Sequence, residues 1–143
     1  MDKIPGLSDW NWCRDDPDNV GIYEEFFGKS NEEVQAMLAK NFIMRCIDLA
    51  GMPHEVFRYY VSGFMRYVES ASESEDAIGF NVARLLDAID SHFEDCPALE
   101  MQFWTENSDF IRRIGQLLTK LNVTSEVHAE LFSRVKSKPA TPF

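Results

Sequence analysis

From Val20 to Val135 the apolar residues recur at steps of three and four, and no segment sustains the two-residue alternation of a half-buried strand. This period constrains the chain more than any other feature. A helix hides one stripe of its surface, so successive stripes have to be packed on one another, and the class expected is all-α. The architecture predicted is a compact bundle of five to six helices preceded by a non-helical N-terminal strap. At 143 residues, with eleven Phe, four Tyr and three Trp, the chain has enough apolar mass for one core. The boundaries predicted are residues 1–19 for the strap, 20–136 for a single helical domain and 137–143 for a flexible tail.

Local signals place the helices. Gly28 closes a first helix over about Val20 to Phe27, because glycine accepts the left-handed conformation that helix ends require. Ser30 and Glu33 form a capping-box pattern for a second, expected to run to about Ala50. There Val34, Met37, Leu38, Phe42, Cys46 and Leu49 make the stripe, and Ile43, Met44 and Ile47 widen it, which suggests a central, buried helix. Gly51 and Pro53 separate it from a helix carrying Val56, Phe57, Tyr60, Val61, Phe64, Tyr67 and Val68. A polar break at residues 70–75 and a cap at Asp76 precede the fourth, patterned on Ile78, Val82, Leu85, Leu86, Ile89 and Phe93. Pro97, a short helical turn over Ala98 to Trp104, a helix over about Ser108 to Leu121 and a last one from Thr124 or Ser125 to Val135 complete the reading. Phe57, Tyr60, Phe64, Val82, Leu86 and Ile89 are expected to be buried together. Trp10 and Trp12, on one side of the strap if it is extended, are expected to plug the core, with an exposed anchor as the alternative.

Chemistry-bearing patterns are scarce. Cys13, Cys46 and Cys96 are widely spaced and lack a CxxC pair, so neither a disulfide framework nor a zinc site is suggested. His54, His92 and His128 stand apart in sequence, and no Glu-x-x-His pair of the di-metal carboxylate kind is present. A Gly-x-Ser-x-Gly elbow, a Walker loop and a phosphate-cradling glycine cluster are also missing. No catalytic residue, metal or cofactor is therefore assigned. An enzyme with a site of Asp, Glu and His assembled across helices stays open, because spatial neighbours are invisible in a sequence.

Charge is the most uneven property. The formal net charge is −10, and residues 69–109 carry eleven acids (Glu69, Glu73, Glu75, Asp76, Asp87, Asp90, Glu94, Asp95, Glu100, Glu106 and Asp109) against one base, Arg84. Such a field repels phosphate backbones and anionic lipid and attracts cationic surfaces. Asp87, Asp90 and Glu94, with Asp95 beyond them, fall on one helix face and form the predicted docking stripe. Phe103 and Trp104 are the predicted aromatic anchors beside it. The plainer alternative is a solvated face neutralised in part by Arg84 or by the basic C-terminal helices. No apolar run approaches the length of a membrane span, and a cytoplasmic location is expected.

Two segments, Tyr23-Glu-Glu-Phe-Phe-Gly-Lys-Ser-Asn-Glu-Glu-Val and Met52-Pro-His-Glu-Val-Phe-Arg-Tyr-Tyr-Val, resemble small acidic helical bacterial proteins of uncharacterised families, some similar to immunity proteins of polymorphic toxin systems. The resemblance implies a protein that binds a basic partner, such as a toxin, and occludes it. The expected function is thus an acidic protein-binding module, with the assembled-site enzyme or a structural homo-oligomeric subunit as alternatives.

Overall fold

The computed structural model describes residues 3–70, 75–120, 130, 133–135, 137 and 138. Among them the chain is all-α, with no strand. Within the described residues the α-helices run in order α1 Leu7–Trp10, α2 Val20–Phe26, α3 Asn31–Lys40, α4 Phe42–Ala50, α5 His54–Ser70, α6 Glu75–His92, α7 Pro97–Glu106 and α8 Ser108–Lys120. A 3-10 turn, Asn11–Asp15, follows α1. Most of the expected last helix lies outside the described residues, although Ser133 to Val135 are helical.

The caps behave as their residue types dictate. Gly28 adopts φ 79° after α2. The Ser30 hydroxyl accepts from the Glu33 amide at 3.1 Å, and the Glu33 carboxylate accepts from the Ser30 amide at 3.0 Å. That backbone hydrogen bond is the main reason the Glu33 carboxyl is held below its ordinary value. Pro97 opens α7. Asp76 is not a cap, because α6 already begins at Glu75.

The helix expected to run unbroken to Ala50 is two helices. Asn41 leaves the helical conformation (φ −158°, ψ 80°), and its side-chain oxygen accepts from the Met44 amide at 3.2 Å. Asparagine competes well for backbone amides in this way, so it favours a cap over a helix interior. The restart rotates the sequence that follows. Phe42, Cys46 and Leu49 face the core, while Ile43, Met44 and Ile47 are exposed rather than central.

The core is built on α5, with α3 against one side and α6 against another; α4 packs mainly on α6, and α7 on α8. Phe57, Tyr60, Phe64, Val82, Leu86 and Ile89 are all fully buried, as their facing stripes predict. The Tyr60 hydroxyl lies 2.7 Å from the carbonyls of Phe26 and Lys29, fastening the end of α2 to α5. Burial raises its pKa.

The N-terminal strap is wound rather than extended. Trp10 ends α1 and Trp12 lies in the 3-10 turn after it, with Asn11 between them at φ 47°, so the two side chains diverge. Trp10 is fully buried, edge-on to Tyr23 at 5.4 Å, whereas Trp12 is 46% exposed.

Candidate functional site

The acidic stripe of α6 divides into paired and unpaired carboxylates. Asp87 pairs with Arg84 at 3.0 Å and with Arg134 at 2.9 Å. Asp90 pairs with Arg134 at 3.3 Å and with Lys138 at 2.9 Å, and Lys138 also lies 3.8 Å from Glu100. Three carboxylates are thus matched by three cations, two of them from the C-terminal segment. Burial by itself would raise the Asp90 carboxyl, but hydrogen bonds with Lys138 and Glu100 and the charges of Lys138 and Arg134 outweigh it and hold Asp90 below its ordinary value. Glu100 is raised, chiefly by burial and then by its bond to Asp90, so it is the first of the two to take up a proton as pH falls.

Glu94 and Asp95 lie beyond this network, in the exposed turn that closes α6, and have no ion pair among the described residues. Phe103 and Trp104 are not exposed anchors. Phe103 packs against Phe57 and Phe93, with ring centroids 5.7 and 5.4 Å away. Trp104 is fully buried and donates its ring N–H to Glu100 at 3.1 Å. The helical period of α7 turns both rings inward, a direction that the charge of the surrounding sequence does not reveal.

An exposed apolar row lies on α4. Ile43 is 45% exposed, Met44 53% and Ile47 62%, and Phe80 on α6 is 48% exposed beneath the Arg84 guanidinium, 5.3 Å from its ring centroid. Between the two helices runs a groove of about 270 Å³, walled by Ile43, Cys46, Ile47 and Ala50 on α4 and by Arg84, Asp87, Ala88 and Ser91 on α6. Its walls are aliphatic except for the Arg84–Asp87 pair and Ser91. Burial pushes the Cys46 thiol up to about 12, so it lines the groove as an apolar group rather than a nucleophile. The signal for this surface was present in the sequence as an α4 apolar around much of its circumference. Such a helix is either wholly enclosed or has a face left over.

The histidines described are not isolated. His54 Nδ1 and His92 Nε2 are 3.2 Å apart, across 38 residues of sequence. No group of three or more His, Cys, Asp or Glu able to hold a metal ion occurs among the described residues. Among the described residues no helix is long and apolar enough to cross a membrane.

No protein family, curated protein or solved structure matches the chain.

Proposed function

We propose that this protein is a non-enzymatic binding module that docks on a basic, amphipathic segment of a partner protein and occludes it. The exposed row Ile43, Met44 and Ile47 beside the α4–α6 groove, in a chain of net charge −10, carries this reading. Clustered aliphatic residues in contact with water mark interaction surfaces more often than scattered ones do. Acidic protein around such a groove favours a cationic occupant, which charge would steer and apolar contact would hold. Glu94 and Asp95 follow closely after Ser91, at the end of the groove, and are available for cationic side chains in a way that the internally neutralised Asp87 and Asp90 are not. The proposed face therefore centres on Ile43, Ile47, Glu94 and Asp95. Neutralisation of a bacterial toxin, implied by the resemblance to immunity proteins, is the specific form proposed, and it places the protein in the cytoplasm of its host.

The probe is a synthetic amphipathic helical peptide with Leu on one face and Lys on the other, compared with the same peptide carrying Glu in place of every Lys. The Lys peptide is expected to shift the backbone amide resonances of Ile43, Ile47, Ala88 and Ser91, to bind less tightly as salt rises and to lose at least tenfold in affinity against Ile47→Lys. Equal binding of both peptides, or shifts confined to other helices, would overturn the reading. A concentration-dependent dimer abolished by Ile47→Lys would instead give this face to a second copy of the chain.

A further inference from the structure

The contact between His54 and His92 has a defined polarity. His92 Nδ1 lies 3.3 Å from the Ala50 carbonyl, which accepts hydrogen bonds and cannot donate them. The proton of a neutral His92 ring is thereby placed on Nδ1, leaving the Nε2 lone pair to accept from His54 Nδ1–H at 3.2 Å. The His92 ring lies flat on Phe57, with centroids 3.8 Å apart and planes within 5° of parallel, and edge-on to Phe93 at 4.9 Å. One half-buried imidazole thus joins three helix ends: the C-terminus of α6, the C-terminus of α4 through Ala50, and the N-terminus of α5 through His54.

We propose that His54 and His92 form an acid-sensitive latch, which holds these three helix ends together while the pair carries no more than one excess proton and opens when both rings are protonated. A proton on His54 Nε2 leaves the contact intact, because Nδ1–H still donates to a neutral His92. With His54 already protonated, a proton on His92 Nε2 removes the last acceptor and sets two cations about 3 Å apart, against the face of Phe57. Charged groups of both signs lie around the pair: beyond His92, Glu94 and Asp95 follow in the exposed turn that closes α6. Arg58, Gln102 and Glu106 share a shallow hollow with His54. Glu55, next to His54, is 3.7 Å from Arg58. The α4 group at His92 is the Ala50 carbonyl, while the aromatic rings of Phe57 and Phe93 cover it from α5 and from the end of α6. Consistent with this enclosure, burial, followed by the His54 charge, lowers the His92 pKa to about 4 even though the Ala50 hydrogen bond raises it.

The direction follows by linkage. An unfolded His92 titrates near 6.5 and the folded one lower, so the unfolded chain binds more protons between these values. The stabilisation is complete above about pH 6.5 and is lost as pH falls toward the folded value. Ala50 and Ser91 also wall the α4–α6 groove, so opening the latch would loosen that end of it, although the latch itself does not depend on what the groove binds.

The test is urea unfolding of the full chain at a series of pH values from 7.5 to 5, for wild type, His92→Gln and His54→Gln, together with ¹⁵N imidazole resonances of the wild type. The wild-type unfolding constant should rise more steeply than that of His92→Gln as pH falls below about 6.5, the difference approaching tenfold per pH unit for one proton. The wild-type spectra should show His92 in the Nδ1–H tautomer at neutral pH, titrating well below a free imidazole, and His54→Gln should move that titration upward. Parallel pH profiles for wild type and His92→Gln, or a His92 titration near 6.5, would overturn the proposal. If His92→Gln fails to fold, the wild-type titration decides.

Discussion

Asn31 occupies the space in which Gly63 would carry a side chain: a Cβ built on Gly63 stands 2.3 Å from Asn31 Oδ1 and 2.7 Å from Cγ. The Asn31 side chain has little freedom to withdraw, since its Nδ2 donates to the Tyr59 carbonyl at 3.0 Å and to Ser62 Oγ at 3.2 Å. Its backbone amide also donates to the Tyr59 hydroxyl at 3.1 Å. Glycine at 63 therefore allows α3 to approach α5 closely enough for these bonds to form. Gly63→Ala is expected to destabilise the protein by about 1–3 kcal/mol through overpacking. Gly115 in α8 provides the contrast, because its nearest neighbour, Val135 Cγ1, is 4.0 Å from the added carbon. Gly115→Ala should stabilise by about 0.5–1 kcal/mol through helix propensity. Urea unfolding of the two variants checks both signs.

The two tryptophans of the strap should separate just as sharply. Trp10→Ala removes a fully buried ring packed on Tyr23 and Tyr60 and is expected to cost about 3–5 kcal/mol. Trp12→Ala, at an exposed position, should stay within about 0.5 kcal/mol of wild type. A similar loss for both in thermal or urea unfolding would show that the strap turns Trp12 into the core as well.

Charge reversal on α6 is expected to have two outcomes, according to position. Lysine at Asp87 and Asp90 would face Arg84, Arg134 and Lys138, replacing four ion-pair contacts with repulsion, so the double reversal should lower stability by about 1 kcal/mol or more. Glu94→Lys and Asp95→Lys should leave folding within about 0.5 kcal/mol of wild type while weakening the Lys-peptide binding proposed above. Circular dichroism melts of the two double variants distinguish a stripe that anchors the C-terminal segment from one that is merely solvated.

The Asp90 carboxyl is held low in the folded state, so its contribution is present above its unfolded value of about 3.9 and is lost as pH falls through the lower folded value. Asp90→Asn should be about 1 kcal/mol less stable than wild type at pH 7. That gap should close below about pH 4 as the wild-type carboxyl gains its proton. A gap that stays constant from pH 7 to pH 3 in urea unfolding would assign the loss to packing rather than to the ion pairs with Lys138 and Arg134.

Removing an exposed residue from α4 should leave the fold untouched. Ile47→Lys is expected within about 0.5 kcal/mol of wild type, whereas Leu49→Ala, two residues on and fully buried, should cost about 2–5 kcal/mol. Comparable losses at both positions would place Ile47 in the core.

The sequence by itself determined the all-α class, the capping of α3 by Ser30 and Glu33, the left-handed turn at Gly28 and the shared burial of Phe57, Tyr60, Phe64, Val82, Leu86 and Ile89. Each of these depends on interactions spanning a few residues or on a stripe whose period is visible in one segment. Tertiary structure decided the rest, because it depends on which faces meet across long stretches of chain. Asn41 looked like one polar residue in a helix until the packing of α4 on α6 set how far the restarted helix had turned, leaving Ile43 and Ile47 outside. Arg134 lies 44 residues from Asp90, and His54 lies 38 from His92, distances over which no periodicity carries information. The acidic stripe was legible as composition, but its charge was not legible as surface: a carboxylate's neighbours in space, rather than in sequence, decide whether its field reaches solvent or is cancelled inside the molecule.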